Sequence, residues 1–240
     1  MASKRFSRQV ALITGGGKGI GLAFARALAA EGCSLVISGR NLSTLNKAAR
    51  ELSRYKVQVL TVVCDVRDEA SVQAMLSGVK KRFRRLDILI NNAGVAHPNL
   101  PMGELPLADW REVVDTNLTG MFLVTRAALP LMKRGGTIVN NLSVAAKRAF
   151  PGMGAYVASK HGALGFTKAL REDLRPQGVR VVALMLGATA TDIWNSFWPD
   201  APKSRMMSAE DIARLTVNAL TLPPESAAEE LVIARTGGAL

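Results

Sequence analysis

Short runs of valine, isoleucine and leucine alternate with longer amphipathic stretches along the whole chain. The apolar runs are Val10–Ile13, Leu35–Ser38, Val57–Val63, Ile88–Asn91, Thr137–Asn141, Val179–Leu186 and Leu231–Ala234. Several are continuous and β-branched, as strands buried on both faces require. Helical periodicity fills the intervals at Ile20–Glu31, Asn41–Arg54, Glu69–Phe83, Leu107–Leu131, Tyr156–Arg175 and Ala209–Leu220. Strand alternating with helix predicts a doubly wound α/β fold of about seven parallel strands covered by helices on both sides. No linker or low-complexity segment divides residues 1–240, so one domain is expected. In such sheets ligands bind beyond the carboxyl ends of the strands. The loops that follow the strands are therefore where chemistry is expected.

Charge narrows the partners. The chain has 31 Lys and Arg against 19 Asp and Glu, and residues 1–90 hold 16 of those bases with only 6 of the acids. A basic segment of this kind attracts a polyanion: nucleic acid, an anionic membrane or a phosphorylated ligand. The two cysteines, Cys33 and Cys64, provide no disulfide framework and fit a reducing compartment. The apolar run before the first glycine cluster is too short for a signal-peptide core, and Val181–Leu186 is far short of a membrane span. A cytoplasmic protein is expected. No His, Asp or Glu grouping has metal-ligand spacing, and no metal is expected.

The first apolar run ends in Thr14-Gly15-Gly16-Gly17-Lys18-Gly19-Ile20-Gly21, and a helical pattern follows. A glycine-rich turn from strand to helix lets backbone N–H groups approach a pyrophosphate, and the helix N-terminus adds positive partial charge. The end of the second run then discriminates between dinucleotides. A carboxylate there would accept from a ribose 2′-OH, whereas a cation would suit a 2′-phosphate. The sequence has Ser38-Gly39-Arg40-Asn41 and no acid. Arg40, with Lys18 nearby in the glycine turn, favours NADP(H) over NAD(H). After the third run, Asp65 is placed to hydrogen-bond an adenine amino group. The alternative role, capping the next helix, suits Asp68 better. After the fourth run comes Asn91-Asn92-Ala93-Gly94. Its small residues would let backbone lie against a ribose, and an Asn side chain could tie neighbouring strands together; a generic turn is the alternative.

Tyr156 and Lys160 are four apart, on one face of a helix. A phenol ionises near ~10 and is a weak acid–base catalyst at neutral pH. A neighbouring ammonium is expected to lower that value towards a useful range. Ser143, after the fifth run, can hydrogen-bond a substrate oxygen. Asn117, in the long helix before it, is expected to hold a water behind the lysine as a proton relay.

Taken together, Thr14-Gly15-x3-Gly19-x-Gly21, Asp65, Asn91-Asn92-Ala93-Gly94, Asn117, Ser143 and Tyr156-x3-Lys160 resemble the short-chain dehydrogenase/reductase family over essentially the whole chain. The nearest flavours are 3-oxoacyl-carrier-protein reductases and small 3-hydroxy acid dehydrogenases. The resemblance implies a Rossmann-type sheet in the order 3-2-1-4-5-6-7 and hydride transfer between nicotinamide and a carbonyl or secondary alcohol. It gives Tyr156 the proton, Lys160 the nicotinamide ribose, Ser143 the substrate oxygen and Asn117 the relay. It implies cofactor contacts from Gly15, Gly17, Lys18, Gly19, Ile20 and Gly21 in the first turn. Arg40, Asp65, Val66, Asn92, Ala93 and Gly94 follow, with Tyr156, Lys160, Gly187 and Thr189 at the nicotinamide end. The implied assembly is a homotetramer or homodimer through the long helices. The substrate is a small carbonyl or alcohol, which an acidic acyl carrier could deliver. The competing reading is a catalytically silent NADP-binding regulator or scaffold, which would not need the tetrad.

The chain departs from the family after the sixth run. Leu186-Gly187 stands where Pro-Gly is usual, and Val182 replaces a common Asn. Losing the proline frees φ at the loop entry. The tail Thr236-Gly237-Gly238-Ala239-Leu240 resembles the family's Gly-Gly ending. Trp194, Phe197 and Trp198 fall in the segment near 189–207, where the family carries its substrate lid. An apolar substrate wall and packing against a helix or subunit both remain open for them, as for Met206 and Met207. His97 is expected on a loop surface, and His161 on another helix face from the site. The run Lys80-Lys81-Arg82-Phe83-Arg84-Arg85 closes a predicted helix, where cations complement the macrodipole. With a single aromatic it lacks a stacking platform, and no nucleic-acid role is expected.

Overall fold

The computed structural model describes residues 4–223 and 225–238. Seven strands form one parallel sheet: β1 (Val10–Thr14), β2 (Ser34–Gly39), β3 (Val59–Val63), β4 (Leu86–Asn91), β5 (Met132–Asn141), β6 (Arg180–Leu186) and β7 (Glu230–Ile233). Their order is β3-β2-β1-β4-β5-β6-β7. The chain reverses its direction of travel across the sheet between β1 and β4, and the crevice at that switch point is the expected ligand position. Crossovers are made by α1 (Gly19–Ala30), α2 (Leu42–Leu52), α3 (Glu69–Phe83), α4 (Leu107–Val114), α5 (Gly120–Ala128), α6 (Gly154–Leu174) and α7 (Ala209–Ala219).

Strand alternation divides the core in two. Ala11, Ile13, Leu35, Ile37, Ile88 and Ile90 face one side and pack with Phe24 and Leu28 of α1 and Ile212 of α7. Val10, Leu12, Val36 and Leu89 face the other, against Met75 and Val79 of α3, Val124 of α5 and Leu170 of α6. Burial on both faces holds for the central strands. The edge strands β3 and β7 are only partly covered, with Val63 and Val232 exposed.

Element limits differ from the sequence expectation where glycine or packing intervenes. The third strand starts at Val59 rather than Val57. The fifth begins five residues early, at Met132, because Leu86 pairs with Met132 before the register shifts and Ile88 pairs with Thr137. The expected helix Leu107–Leu131 is observed as one contiguous helical run with αR backbone at each junction, made of α4, a π-turn at Asp115–Thr119, α5 and a closing 3₁₀ turn that contains Pro130. Gly120 follows the π-turn because a Cβ there would meet Val66 at 2.7 Å. The basic run closes α3 as expected: Asp68 caps its start by accepting from the Ala70 N–H, and Arg84 ends it in the left-handed region.

Asparagine and threonine join the strand ends. Asn91 donates to Thr125 Oγ1 and Asn140 Oδ1, and Asn140 donates to Thr167 Oγ1, each at 2.9 Å. Thr14 Oγ1 accepts from the Asn92 and Ala93 N–H groups at 2.9 and 3.0 Å. Asn92 donates to the Thr14 carbonyl oxygen, and Asn141 donates to Asn92 Oδ1, both at 2.9 Å. The tie between neighbouring strands expected of an Asn side chain is thus a network spanning β1, β4, β5, α5 and α6.

Phe24 is the largest side chain with no exposure and fills the layer between α1 and the sheet. Truncation to Ala should cost about 3–5 kcal/mol, read as a lowered urea midpoint with an unchanged transition slope.

Candidate active site

A continuous groove crosses the carboxyl ends of the strands. Its narrower arm, about 370 Å³, is lined by the glycine turn, Ser38–Asn41, Cys64–Val66 and Thr116. Its wider arm, about 1040 Å³, contains Ser143, Tyr156, Lys160, Leu186–Thr189 and the aromatic segment. Gly15, Lys18, Arg40, Ala93, Gly94 and Val95 border both arms.

The glycine turn is shaped by steric necessity. Gly15 and Gly19 adopt φ of +64° and +54°, a region costly for side chains. A Cβ on Gly21 would lie 2.2 Å from the Gly15 carbonyl oxygen. Lys18 stands at the N-cap of α1 with extended backbone and no side-chain cap, so the first helical N–H groups are open to the groove. Gly17 and Ile20 line the same turn. Open helical donors beside a cradle without side chains fit the pyrophosphate of a dinucleotide.

The cations around this cradle are already engaged. Lys18, 69% exposed, lies 3.2 Å from Asp192. Arg40, 57% exposed, lies 3.7 Å from Glu112. Asp65 borders the groove, but its carboxylate does not wait free for an adenine. Arg67 takes it with Nε at 3.0 and 3.1 Å and Nη2 at 2.6 Å, because the two residues flank one turn. That hydrogen bonding outweighs burial and holds the Asp65 carboxyl below its usual range. Arg67 also approaches Glu112 at 3.9 Å. Sequence reasoning overlooked Arg67 and Glu112; the i, i+2 spacing of Asp65 and Arg67 was the available signal. Val66 is buried against Gly120 and still borders the narrow arm.

At the other end, Ser143 caps a 3₁₀ turn, Val144–Ala146, by accepting from the Ala145 N–H at 3.1 Å. Tyr156 lies in the first turn of α6. Lys160, one turn on, is 5% exposed, with Nζ 5.5 Å from the Tyr156 ring centre and donating to the Asn141 carbonyl oxygen at 3.1 Å. The electrostatics reverse one expectation. Burial raises the Tyr156 pKa above its ordinary value, and only the Ser143 hydroxyl opposes it. Burial also lowers Lys160 to about 8. In the folded chain alone, desolvation outweighs any benefit the ammonium gives the phenolate.

Asn117 is 1% exposed and sits in the π-turn. Its Oδ1 accepts from the Val95 N–H at 2.9 Å, and its Nδ2 donates to the Val95 carbonyl at 2.9 Å and to Ser159 Oγ at 3.1 Å. The side-chain amide clamps the Val95 backbone. The clamp sets Gly94 beside Lys160, where a Cβ would stand 3.2 Å from Asn117 Oδ1 and 3.8 Å from Lys160 Nζ.

Leu186 needs no proline to fix the loop after β6. The Gly187 N–H donates to the Ile233 carbonyl at 2.9 Å, and Thr189 Oγ1 donates to the Gly187 carbonyl at 3.1 Å. Trp194, Phe197 and Trp198 line the wide arm, with ring centres 4.8 and 6.0 Å from Trp194. Trp194 Nε1 donates to the Thr189 carbonyl at 2.9 Å. Met207 packs on the core and Gly187, not in the groove. His97 is not a surface residue: it is 2% exposed, with Nδ1 2.7 Å from the Pro98 carbonyl, because its loop is pinned by Leu100 donating to Gly152. His161 is exposed and bonds only its own helix, as expected. Both cysteines are buried and free, and burial pushes the Cys33 thiol up to about 12. Of the tail, Thr236 and Gly238 border the wide arm, whereas Ala239 and Leu240 lie outside the described residues. Among the described residues, no helix is long and apolar enough to cross a membrane.

The profile of the short chain dehydrogenase family matches residues 9–202. The chain is 39% identical over 228 residues to sulfoacetaldehyde reductase 2 of Chromohalobacter salexigens, covering 89% of each. It is 36% identical over 227 residues to a 3-oxoacyl-[acyl-carrier-protein] reductase of Synechocystis sp., covering 91% of each. Among solved structures, an alcohol dehydrogenase of the archaeon Thermococcus sibiricus, complexed with 5-hydroxy-NADP, superposes with a TM-score of 0.88 at 32% identity, over 94% of this chain and 95% of that one. The chain belongs to the short chain dehydrogenase family. It is accordingly an oxidoreductase of the alcohol–carbonyl couple.

Burial of Lys160 has a measurable consequence. The unfolded chain keeps that lysine protonated up to about 10.5, the folded chain only to about 8. Between these values the unfolded state binds the extra proton, so stability rises with pH. Above 10 the raised Tyr156 pKa makes the folded state hold more protons, and stability falls again. Urea midpoints at about pH 7 and about pH 9, below the range where the raised Cys33 thiol opposes the trend, should show a rise in the wild type that Lys160→Met lacks.

Proposed function

We propose that the chain is an NADP(H)-dependent oxidoreductase that transfers hydride between nicotinamide and a carbonyl or secondary alcohol. The observation that carries this reading is the single groove. It joins an uncapped helix N-terminus and two cations at one end to Ser143, Tyr156 and Lys160 at the other. Similar solved proteins carry NADP or 5-hydroxy-NADP, which supports a nicotinamide cofactor here. The glycine turn would hold the pyrophosphate. Lys18 and Arg40 would exchange Asp192 and Glu112 for the 2′-phosphate. Asp65, Val66, Asn92, Ala93 and Gly94 would line the adenosine and ribose path, with Gly187 and Thr189 towards the nicotinamide.

When bound, the nicotinamide supplies or accepts the hydride. The chain's own residues manage the proton and the substrate oxygen. Ser143 hydrogen-bonds that oxygen and orients it. Tyr156, a phenol already protonated at neutral pH and held further above its ordinary value by burial, is poised as the acid that donates a proton to the developing alkoxide during reduction. Lys160 binds ribose hydroxyls and steadies the phenolate once the proton has left. Asn117 is a positioning residue that sets Val95 and Gly94 against Lys160. The lid near 189–207 closes the wide arm with Trp194, Phe197 and Trp198 and excludes water. We place the contact of a homodimer or homotetramer on the long helices, where Phe122 is exposed and meets Phe166 edge-on at 6.2 Å.

Replacing Tyr156 with Phe should lower kcat by about 10²–10⁴-fold while NADPH binding, followed by nucleotide fluorescence, stays near the wild-type value. Turnover at the wild-type rate would remove Tyr156 from the mechanism. Arg40→Asp should weaken NADPH by about tenfold or more and leave NADH little changed. Equal weakening of both would refute the 2′-phosphate role.

A further inference from the structure

The wide arm of the groove is electrostatically one-sided. Among its lining residues Lys18, Arg40, Arg148, Lys160 and Arg235 are cations, and Asp192 is the one carboxylate. Asp192 is engaged by Lys18. Lys18 and Arg40 belong to the dinucleotide end, and Lys160 to the proton-handling group. Arg235 donates to the Gly238 carbonyl at 3.3 Å. Arg148 remains. Its neighbour Lys147 is tied to Glu230 at 2.5 Å, whereas the Arg148 guanidinium has no carboxylate or hydrogen-bond partner among the described residues.

The position of Arg148 is set by the backbone that sets Ser143. Ser143 caps the 3₁₀ turn, and the Arg148 N–H donates to the Val144 carbonyl at 3.1 Å, closing the next turn. One residue step plus one helical turn keeps the Arg148 Cα within roughly 10 Å of the Ser143 Cα. The same arm of the groove is also lined by Phe150, Met153, Trp194, Phe197 and Trp198. Arg148 is exposed at the rim of this cleft, and a guanidinium with no carboxylate beside it leaves a positive potential there. Its planar fork matches a carboxylate or sulfonate through two parallel hydrogen bonds.

We propose that Arg148 is the anion-binding residue of the substrate site, and that the substrate is a short carbonyl compound, or the matching alcohol, ending in a carboxylate or sulfonate. The proposal rests on the reading of Ser143 and Tyr156 as the carbonyl site. It makes the substrate a compound with two handles. The reacting oxygen lies at Ser143 and Tyr156, an apolar middle lies along the aromatic wall, and the oxyanion end lies at Arg148.

The test compares methyl ketones ending in a carboxylate, in a series of chain lengths, with the same ketones as methyl esters. NADPH oxidation is followed for the wild type, Arg148→Gln and Arg148→Lys. The wild type should favour the acid over its ester by about tenfold or more in kcat/KM, mostly through KM. Arg148→Gln should bring that ratio close to one, and Arg148→Lys should keep part of it. Binding is read independently by quenching of the lid tryptophans Trp194 and Trp198 as acid or ester is titrated into the NADP-loaded protein. An acid-to-ester ratio unchanged by Arg148→Gln, with turnover intact, overturns the proposal and leaves the oxidoreductase reading standing. Acid-selective quenching that Arg148→Gln abolishes, in a protein that oxidises NADPH with no ketone, supports the anion subsite and overturns the oxidoreductase reading. Equal treatment of free acids and esters, with preference only for a thioester on an acyl carrier protein, overturns the small-anion proposal in favour of a carrier-borne substrate.

Discussion

Side-chain amides at the strand ends hold this protein's site in place. A parallel sheet leaves its strands to end in loops, and loops alone do not fix positions to the accuracy that proton transfer needs. Here Asn91, Asn92, Asn140 and Asn141 convert the ends of β1, β4 and β5 into one hydrogen-bonded unit and extend it to Thr125 on α5 and Thr167 on α6. Buried amides left without partners would be costly, so the network forms nearly as a whole or disrupts the layer. The Asn141 carbonyl also receives the Lys160 ammonium. The structural tie and the proposed proton-handling group are therefore continuous.

Charge in the groove follows a second logic. Cations at and near the narrow arm are held by carboxylates: Lys18 by Asp192, Arg40 by Glu112, Arg67 by Asp65 and Glu112. Exposed pairs of this kind contribute little stability, about 0–1 kcal/mol each. They orient side chains that a more highly charged ligand can recruit at small cost. Asp192 belongs to the segment after β6 and Lys18 to the glycine turn, so one weak pair links the two. Of the bases in residues 1–90, Lys18, Arg40 and Arg67 follow strands and stand at the groove end, whereas the clusters at 4–8, 54–56 and 80–85 lead into strands at the opposite edge of the sheet. The basic run at residues 80–85 belongs to the end of α3 and needs no nucleic acid to explain it.

Much of the candidate site was legible because its requirements are local. The glycines are needed where φ is positive or where Gly21 meets the Gly15 carbonyl, and such needs appear in sequence as glycine. Tyr156 and Lys160 share a face because a helix repeats near four residues. Strand number follows from apolar runs. What escaped depended on contacts between distant segments. His97 is buried because its loop bonds to Gly152. Asp65 is engaged because Arg67 folds back upon it. Asn117 is a clamp because a π-turn, placed where Gly120 meets Val66, presents its amide to Val95. Arg148 drew no notice in a sequence with many arginines, since only the cleft distinguishes it from a solvated surface charge.

By itself, the sequence determined the alternation of strands and helices, the glycine turn and the tyrosine–lysine pair, since each follows from backbone sterics and helical repeat acting over a few residues. Only the tertiary structure decided which charges are compensated, which amides are engaged, and whether burial or a neighbouring ammonium governs the tyrosine. Those outcomes depend on distance and dielectric, and both are set by segments far apart in the chain.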